Sequence, residues 1–234
     1  MPRIARGFID GFVYHVINRG NGGGAVFHEN KDYQAFIDIV KEAKRVFGFK
    51  LFAYCLMPNH FHMVVLPSKA QHLSKWMQWM MTSYVRRYHR DYGTNGHLWQ
   101  GRFKSFIVQQ DEHLIRLMRY VEGNPVRTGL VNAPKEWYWS SHREALGKRL
   151  RTLVDESPIE LPKAWESCVH TMLTENELKR IRESVNRQSP YGTPIWVTTL
   201  CRELGIESTI RPRGRPKKLL RPKKKSYPSM YISH

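Results

Sequence analysis

Residues 49–66 read FKLFAYCLMPNHFHMVVL, two apolar runs separated by Pro58 and Asn59. Short apolar runs bounded by turn residues are typical of buried strands, and the interruption is short enough for a hairpin. The sequence therefore predicts one strand over residues 49–57 and a second over residues 61–66, paired as a β-hairpin.

The segments on either side of this hairpin alternate between strand and helix periodicity. Asn30 and Asp111 precede helical patterns and are predicted as N-caps, while Gly123 and Pro125 are predicted to end the third helix. In chain order, the predicted elements are strand 12–18, helix 31–47, the hairpin, helix 71–91, strand 103–109 and helix 112–122.

This order predicts an α+β fold of the ferredoxin-like kind, an antiparallel sheet with helices on one face, plus one more helix. Beyond residue 131 the pattern weakens, and helices are expected over residues 174–186 and 196–204. We predict three parts: an α+β domain over residues 1–145, a mostly helical extension over residues 146–210, and a basic tail over residues 211–234.

The charge of the chain predicts a polyanionic partner. Its 234 residues contain 38 Lys and Arg against 20 Asp and Glu, a net charge of +18. Nucleic acid is the commonest partner of such a protein. Half of the excess lies in the last 24 residues, which contain nine basic residues, four prolines and no acid. A segment of this composition cannot bury a core, so we predict that the tail is disordered.

Other classes of protein are disfavoured. The apolar runs are far shorter than the roughly 20 residues of a membrane helix, and the N-terminus lacks the apolar core of a signal peptide. The three cysteines, Cys55, Cys168 and Cys201, are widely spaced and odd in number, which argues against a disulfide framework. We expect a cytoplasmic protein with no membrane partner.

The histidines of the hairpin form the first candidate site. His60 and His62 are two residues apart on a predicted strand, so both imidazoles project from the same face. Two imidazoles on one face are a common metal-ligand arrangement. The alternative is two surface histidines in a chain that contains 11 of them.

A tyrosine and an asparagine form the second candidate site. Tyr120 and Asn124 are four residues apart and share a helix face, from which Glu122 points away. A phenol can attack phosphorus when a base or a metal activates it, and an amide oxygen can bind that metal. The alternative is a core tyrosine before a helix-ending Asn-Pro, and Tyr84 and Tyr88 are rival phenols.

Taken together, the motifs resemble the IS200-like tyrosine transposases, and most closely their domesticated branch, the REP-associated tyrosine transposases. The resemblance covers most of the chain, with residues 145–188 the least distinctive. It is carried by YCLMPNHFH (54–62), LWQGRFKS (98–105) and YVEGNPVRTGLV (120–131), with support from NRGN (18–21), PYG (190–192), GIEST (205–209) and RPRGRP (211–216).

The resemblance implies the HUH/Y1 transposase fold, with residues 1–145 as the HUH catalytic domain. It places His60 and His62 as the paired histidines, Tyr120 as the nucleophile and Asn124 as a third metal ligand for Mg²⁺ or Mn²⁺. In such an enzyme, the tyrosine attacks single-stranded DNA and gives a 5′-phosphotyrosine and a free 3′-OH. Phe61 departs from the aliphatic residue common at its position, and we expect its side chain to face the core.

Several basic residues are candidate DNA contacts. Basic residues beside an aromatic ring suit unpaired bases and phosphates, and the Gly-Arg-Pro centre of the tail resembles an AT-hook for AT-rich duplex. The alternatives are solvated cations and a non-specific polybasic tail. The predicted set is Arg19, Arg86, Arg87, Trp99, Arg102, Lys104, Arg127, Arg211, Arg213, Arg215 and Lys217.

The resemblance predicts a single-strand endonuclease and strand transferase acting on hairpin-forming repetitive extragenic palindromes. It favours a nucleoid-associated monomer, with a homodimer as the alternative. Two other functions stay open. One is a sequence-specific or architectural DNA-binding protein without catalysis. The other is a zinc hydrolase that adds His97 or His113 to the histidine pair.

Overall fold

The computed structural model describes residues 7–211. The predicted tail lies almost entirely outside this range, which contains four strands and eight α-helices. They are β1 (Val13–Arg19), α1 (Asn30–Phe47), β2 (Lys50–Met57), β3 (His60–Leu66), α2 (His72–Tyr92), β4 (Lys104–Val108), α3 (Glu112–Glu122), α4 (Asn124–Arg127), α5 (His142–Ala145), α6 (Trp165–His170), α7 (Glu175–Arg187) and α8 (Pro194–Glu203).

The four strands form one antiparallel sheet in the order β2-β3-β1-β4. This is the order of the split βαβ pattern, so the predicted ferredoxin-like fold is confirmed. Met57 pairs with His60, which makes Pro58 and Asn59 the two-residue turn of the predicted hairpin.

The sheet is covered on both faces. Helices α1 and α2 pack on one face in a core that includes Tyr14, Phe61 and Met63. Helix α3 packs on the opposite face, against a core that includes Val64 and Phe106. The two helices of the split pattern therefore share a face as predicted, and the additional helix packs on the other face together with α6 and α7.

The hairpin turn is held by a loop that follows β1. The carbonyl oxygen of Pro58 accepts hydrogen bonds from the backbone N–H groups of Val26 and Phe27, at 2.8 and 3.0 Å. The backbone N–H of Gly20 donates to the Asn59 carbonyl at 2.8 Å. A Cβ on Gly20 would lie only 2.2 Å from the Gly24 carbonyl oxygen, so this loop needs glycine there. These contacts fix the backbone immediately before His60.

One helix boundary differs from the sequence prediction, and another agrees with it. Helix α1 is capped by Glu29 rather than Asn30, because the Asp32 carboxylate accepts from the backbone N–H groups of His28 and Glu29. Helix α3 ends at Glu122, but the following glycine keeps helical backbone angles (φ −83°, ψ 0°). The predicted end of α3 is therefore confirmed, and Asn124 begins the short helix α4. The predicted cap of α3 by Asp111 is present.

The chain after residue 131 covers both edges of the sheet. Along β2, Ser141 pairs with Tyr54, and the carbonyl of Trp139 accepts from the backbone N–H of Leu56 at 2.8 Å. Along β4, the backbone of Tyr191 bonds to Ile107 and Gln109. Neither of these edges is free at those positions to pair with another chain.

Candidate active site

The four residues proposed for the chemistry line a single cleft. His60 and His62 project from β3 toward the face that α3 covers, while Phe61 points into the opposite core and is fully buried. Tyr120 comes from the last turn of α3 and Asn124 from the first residue of α4. The side chains of all four residues line one open cleft of about 600 Å³.

His60 is held in one orientation by its neighbours. The side-chain N–H of Asn59 donates to the Gly23 carbonyl at 3.0 Å, which turns the amide oxygen of Asn59 toward His60. Nδ1 of His60 donates to that oxygen at 2.6 Å. Nε2 is therefore the acceptor nitrogen, and it lies 3.2 Å from Nδ2 of Asn124. Burial lowers the pKa of His60 to about 4, helped by the positive charges of Arg19 and Arg127.

His62 is buried between a second histidine and the candidate nucleophile. Its Nδ1 lies 2.9 Å from Nε2 of His15, and its ring stands edge-on to the ring of Tyr120 with centroids 5.6 Å apart. Burial holds the pKa of His62 well below its usual value, and the nearby His60, His15 and Arg127 act in the same direction. Both hairpin histidines are thus neutral, which is the form that binds a metal.

Arg127 connects the nucleophile with the asparagine. Its guanidinium carbon lies 4.2 Å from the centre of the Tyr120 ring. Its Nη2 donates to the Tyr120 carbonyl at 2.8 Å and to Oδ1 of Asn124 at 3.0 Å. A cation at this distance stabilises negative charge on the phenol. The sequence predicted Arg127 as a DNA contact, whereas in the structure its hydrogen bonds orient the site.

Glu122 does not line the cleft. Its carboxylate is fully buried and accepts hydrogen bonds from Ser141 Oγ at 2.6 Å, His142 Nδ1 at 2.8 Å and Trp165 Nε1 at 2.9 Å. These three donors lie after residue 131, in the part of the chain that follows the sequence motifs. Glu122 therefore ties the end of α3, and Tyr120 with it, to the C-terminal part of the chain.

A second cleft, of about 350 Å³, lies beside the first. Ile17 and Arg19 line both clefts, so the two meet at the end of β1. The exposed side chains of Arg102 and Lys104 line the second cleft. Three of the predicted basic contacts thus lie along one path that leads away from Tyr120.

The other predicted DNA contacts lie elsewhere. Arg86 and Arg87 are on α2, across the sheet from the cleft, and Arg87 pairs with Asp91 at 3.3 Å. Trp99 is buried among aromatic rings of the core, which leaves its indole no face for a base. Of the tail candidates, Arg211 is the last described residue and is exposed, while Arg213, Arg215 and Lys217 lie outside the described residues.

The rival phenols and the zinc alternative find no support in the geometry. Tyr84 is buried and donates to the Val26 carbonyl at 2.6 Å, and Tyr88 contacts His28; neither tyrosine lines the cleft. Within residues 7–211, no group of three His, Cys, Asp or Glu side chains could hold a metal ion. His113 instead contacts Asp111 outside the cleft.

Within residues 7–211, no helix has the length and apolar character needed to cross a membrane.

His15 and Asn59 are contacts of the site that the sequence reasoning missed. His15 lies opposite Val64 in the β1–β3 register, which makes it a diagonal neighbour of His62. His15 and His62 are 47 positions apart in the chain, and their rings meet only because of the register between β1 and β3. The sequence predicts Asn59 as a turn residue. Its position next to His60 is the signal that could have revealed the contact between the two side chains.

The sequence matches the family described as "Transposase IS200 like" over residues 9–124. This range runs from before β1 to Asn124 and includes His60, His62 and Tyr120. A Haemophilus influenzae protein described as a REP-associated tyrosine transposase is 26% identical over 121 residues, covering 47% of this chain and 68% of that protein.

One solved structure shares the fold. A REP-associated tyrosine transposase bound to a REP hairpin superposes with a TM-score of 0.53 at 20% identity, covering 69% of this chain and 99% of that one. A Deinococcus radiodurans protein described as a transposase gives a TM-score of 0.37 at 19% identity, covering 52% of this chain and 96% of that one. The first likeness agrees with the ferredoxin-like architecture.

Proposed function

Because the chain belongs to the IS200-like transposase family over residues 9–124, we propose that it is a metal-dependent endonuclease and strand transferase of single-stranded DNA. The observation that carries this proposal is the meeting of His60, His62, Tyr120 and Asn124 in one cleft, although they come from three different elements. Hairpin-forming repetitive extragenic palindromes are the proposed substrate, supported by the relative bound to a REP hairpin.

Tyr120 is the proposed nucleophile. Its phenol oxygen attacks the scissile phosphate, a P–Oη bond forms, and the bond from phosphorus to the 3′ oxygen breaks. The phenol proton is lost and the departing 3′ oxygen takes up a proton, so the products are a 5′-phosphotyrosine and a free 3′-OH. Arg127, 4.2 Å from the ring centre, stabilises the negative charge that develops on the phenol oxygen as it attacks.

The phosphotyrosine keeps the energy of the original phosphodiester. A 3′-OH can therefore attack the same phosphorus, form a new bond to the 3′ oxygen and return the proton to Tyr120 as the P–Oη bond breaks. Cleavage and strand joining are the two directions of this one exchange. The proposed transferase activity needs no protein nucleophile beyond Tyr120, because the 3′-OH of the DNA is the nucleophile of the joining step.

The donor set of the cleft fits a divalent cation, Mg²⁺ or Mn²⁺, held by His60, His62 and Asn124. Both imidazoles are neutral, and Nδ1 of His60 is already engaged by Asn59, which leaves Nε2 as its binding nitrogen. Two imidazoles and an amide suit Mn²⁺ somewhat better than Mg²⁺. When bound, the ion supplies positive charge that offsets the charge on the scissile phosphate.

Asn124 needs a change of orientation to serve as a ligand. In the structure its nitrogen faces His60, while its oxygen accepts a hydrogen bond from Arg127. Binding through the oxygen requires the amide to turn over, because the amide NH₂ group is a donor and cannot bind a cation. Arg127 then gives up its hydrogen bond to Asn124 and keeps the other, to the Tyr120 carbonyl.

The single strand is proposed to leave the cleft past Arg19 and to continue along Arg102 and Lys104. These exposed cations line the adjoining cleft and suit the phosphates of an extended strand. The covered sheet edges support a monomer rather than a dimer joined through the sheet. A DNA substrate of this kind implies a cytoplasmic, nucleoid-associated enzyme.

The test is cleavage of an end-labelled hairpin oligonucleotide by the full chain with Mn²⁺. We expect wild-type protein and a Tyr88→Phe variant to cleave the strand, while Tyr120→Phe binds the hairpin and does not cleave it. Tyr88→Phe is the matched control because it removes a phenol from outside the cleft. Cleavage by Tyr120→Phe would refute the nucleophile. Binding without cleavage by all three proteins would favour the alternative, a DNA-binding protein that has lost catalysis.

A further inference from the structure

A buried histidine that the proposed chemistry does not use lies directly behind the cleft. His15 is fully buried in the middle of β1, and its ring lies against the ring of Phe106 with centroids 4.8 Å apart. Its Nε2 is 2.9 Å from Nδ1 of His62. Its Nδ1 is also buried and has no hydrogen-bond partner among residues 7–211.

The contact between the two rings admits two proton arrangements. In the first, His62 carries its proton on Nδ1 and donates to His15, so the lone pair of His62 lies on Nε2. In the second, His15 donates from Nε2, so His62 carries its proton on Nε2 and that nitrogen has no lone pair to offer. Each neutral imidazole has one N–H and one acceptor nitrogen, so these arrangements exclude one another.

We propose that His15 is a positioning residue that accepts a hydrogen bond from Nδ1 of His62 and so leaves Nε2 of His62 free to bind the divalent cation. This inference rests on the proposed function, since it concerns one of the metal-binding histidines. It parallels the role of Asn59, whose amide oxygen engages Nδ1 of His60 in the same way. Each hairpin histidine then has its own orienting acceptor.

The chemical nature of the acceptor matters for the substrate. Metal-binding histidines usually donate to a carboxylate, a carbonyl or water. A carboxylate behind His62 would add a negative charge close to the place where a phosphate must bind. His15 and Asn59 are both uncharged acceptors, so the positive charge of the bound ion is left to act on the DNA.

Metal binding to the full-length chain, measured by titration calorimetry with Mn²⁺ alone, tests this role without activity. We expect His15→Phe, which keeps an aromatic ring against Phe106 but has no acceptor, to weaken Mn²⁺ binding about 10- to 100-fold. His15→Gln, which loses the ring but offers an amide oxygen, should recover most of the affinity. His28→Phe is the matched control and should bind Mn²⁺ like the wild type, since His28 lies outside the cleft.

The opposite order of the two His15 variants would overturn the proposal, because packing alone favours Phe over Gln at this position. Equal affinity of His15→Phe and wild type would overturn it as well. If the wild-type protein bound no Mn²⁺, the metal-dependent function itself would fail, and this inference with it. The two failures are distinguishable. Failure of the metal-dependent function removes Mn²⁺ binding by the wild-type protein, whereas failure of the His15 proposal shows only in the affinities of the variants.

A measurement on the wild-type protein covers the case in which a variant does not fold. Nitrogen NMR of the histidine side chains, with saturating Mg²⁺, reports which ring nitrogen carries the proton. We expect His62 to carry it on Nδ1 and His15 to carry none on Nε2. A proton on Nε2 of His62 in the Mg²⁺-saturated protein would contradict the proposal.

Discussion

Nε2 of His60 and Nδ2 of Asn124 lie 3.2 Å apart, although 64 positions separate the two residues in the chain. This contact joins β3 to α4, the helix that follows Tyr120. Replacing Asn124 with Ala removes the third proposed ligand and should lower the rate of hairpin cleavage by at least about tenfold, a decrease of about 1.4 kcal/mol in transition-state stabilisation.

The control for this variant is Asn95→Ala, on an exposed loop outside the cleft. Single-turnover cleavage at saturating Mn²⁺ is the measurement, and hairpin affinity in a chelator should be unchanged. An Asn124→Ala enzyme with the wild-type rate would remove Asn124 from the ligand set.

The stability of the metal-free protein should depend on pH through its buried histidines. Burial lowers the pKa of His60 to about 4 and that of His15 to about 3, whereas a histidine in the unfolded chain titrates near about 6.5. Between these values the unfolded chain binds more protons than the folded one. The free energy of unfolding should therefore fall as the pH drops from about 6.5 toward about 4.

Urea unfolding in the presence of a chelator, at about pH 7 and about pH 5, measures this effect. The variant His15→Phe lacks one of the buried titrating groups and should be destabilised less between the two pH values than the wild type. A wild-type protein equally stable at both would contradict the neutral, buried state of these rings.

The buried carboxylate of Glu122 should be a major contributor to stability. Replacing Glu122 with Ala leaves the buried N–H donors of His142 and Trp165 without their acceptor, whereas Ser141 Oγ can still donate to the Tyr54 carbonyl. Each buried donor left unsatisfied typically costs about 1–3 kcal/mol. The free energy of unfolding in urea is the measurement. Glu42→Ala, which breaks an exposed ion pair with Arg45, should produce no measurable change.

The adjoining cleft should contribute to the salt dependence of DNA binding. Replacing Arg102 and Lys104 together with Ala should weaken hairpin binding and lower the slope of log K against log salt by about 0.7 for each single-strand phosphate that the protein no longer neutralises. The matched double variant removes Arg86 and Arg87 from the opposite side of the sheet. Equal slopes for the two double variants would show that the strand does not follow Arg102 and Lys104.

Local patterns predicted the fold and marked His60, His62, Tyr120 and Asn124 as candidates, while the roles proposed for them came from the resemblance to the IS200-like transposases. The period of two in a strand places His60 and His62 on one face, and the hairpin follows from a two-residue interruption between apolar runs. The alternation of elements along the chain determined the rest of the sheet. These features depend only on residues that are close in the sequence.

The parts that escaped prediction depend on contacts between distant segments. His15 reaches His62 through strand register, and Glu122 finds its partners 19 to 43 positions further along the chain. The burial of Trp99 has the same origin, since Phe36, Phe61 and Tyr84 come from three separate elements to surround it. An aromatic residue among basic ones suggested that Trp99 stacks on unpaired bases, whereas in the structure its ring is part of the core.

The position of covalent attachment tests the central claim most directly. A hairpin oligonucleotide incubated with the full chain and Mn²⁺, followed by nuclease and protease digestion, leaves a nucleotide on one peptide that mass spectrometry can locate. We predict a single modified residue, Tyr120, joined to the 5′ phosphate of the DNA. A nucleotide on any other residue, or strand cleavage with no protein-bound nucleotide, would contradict the account.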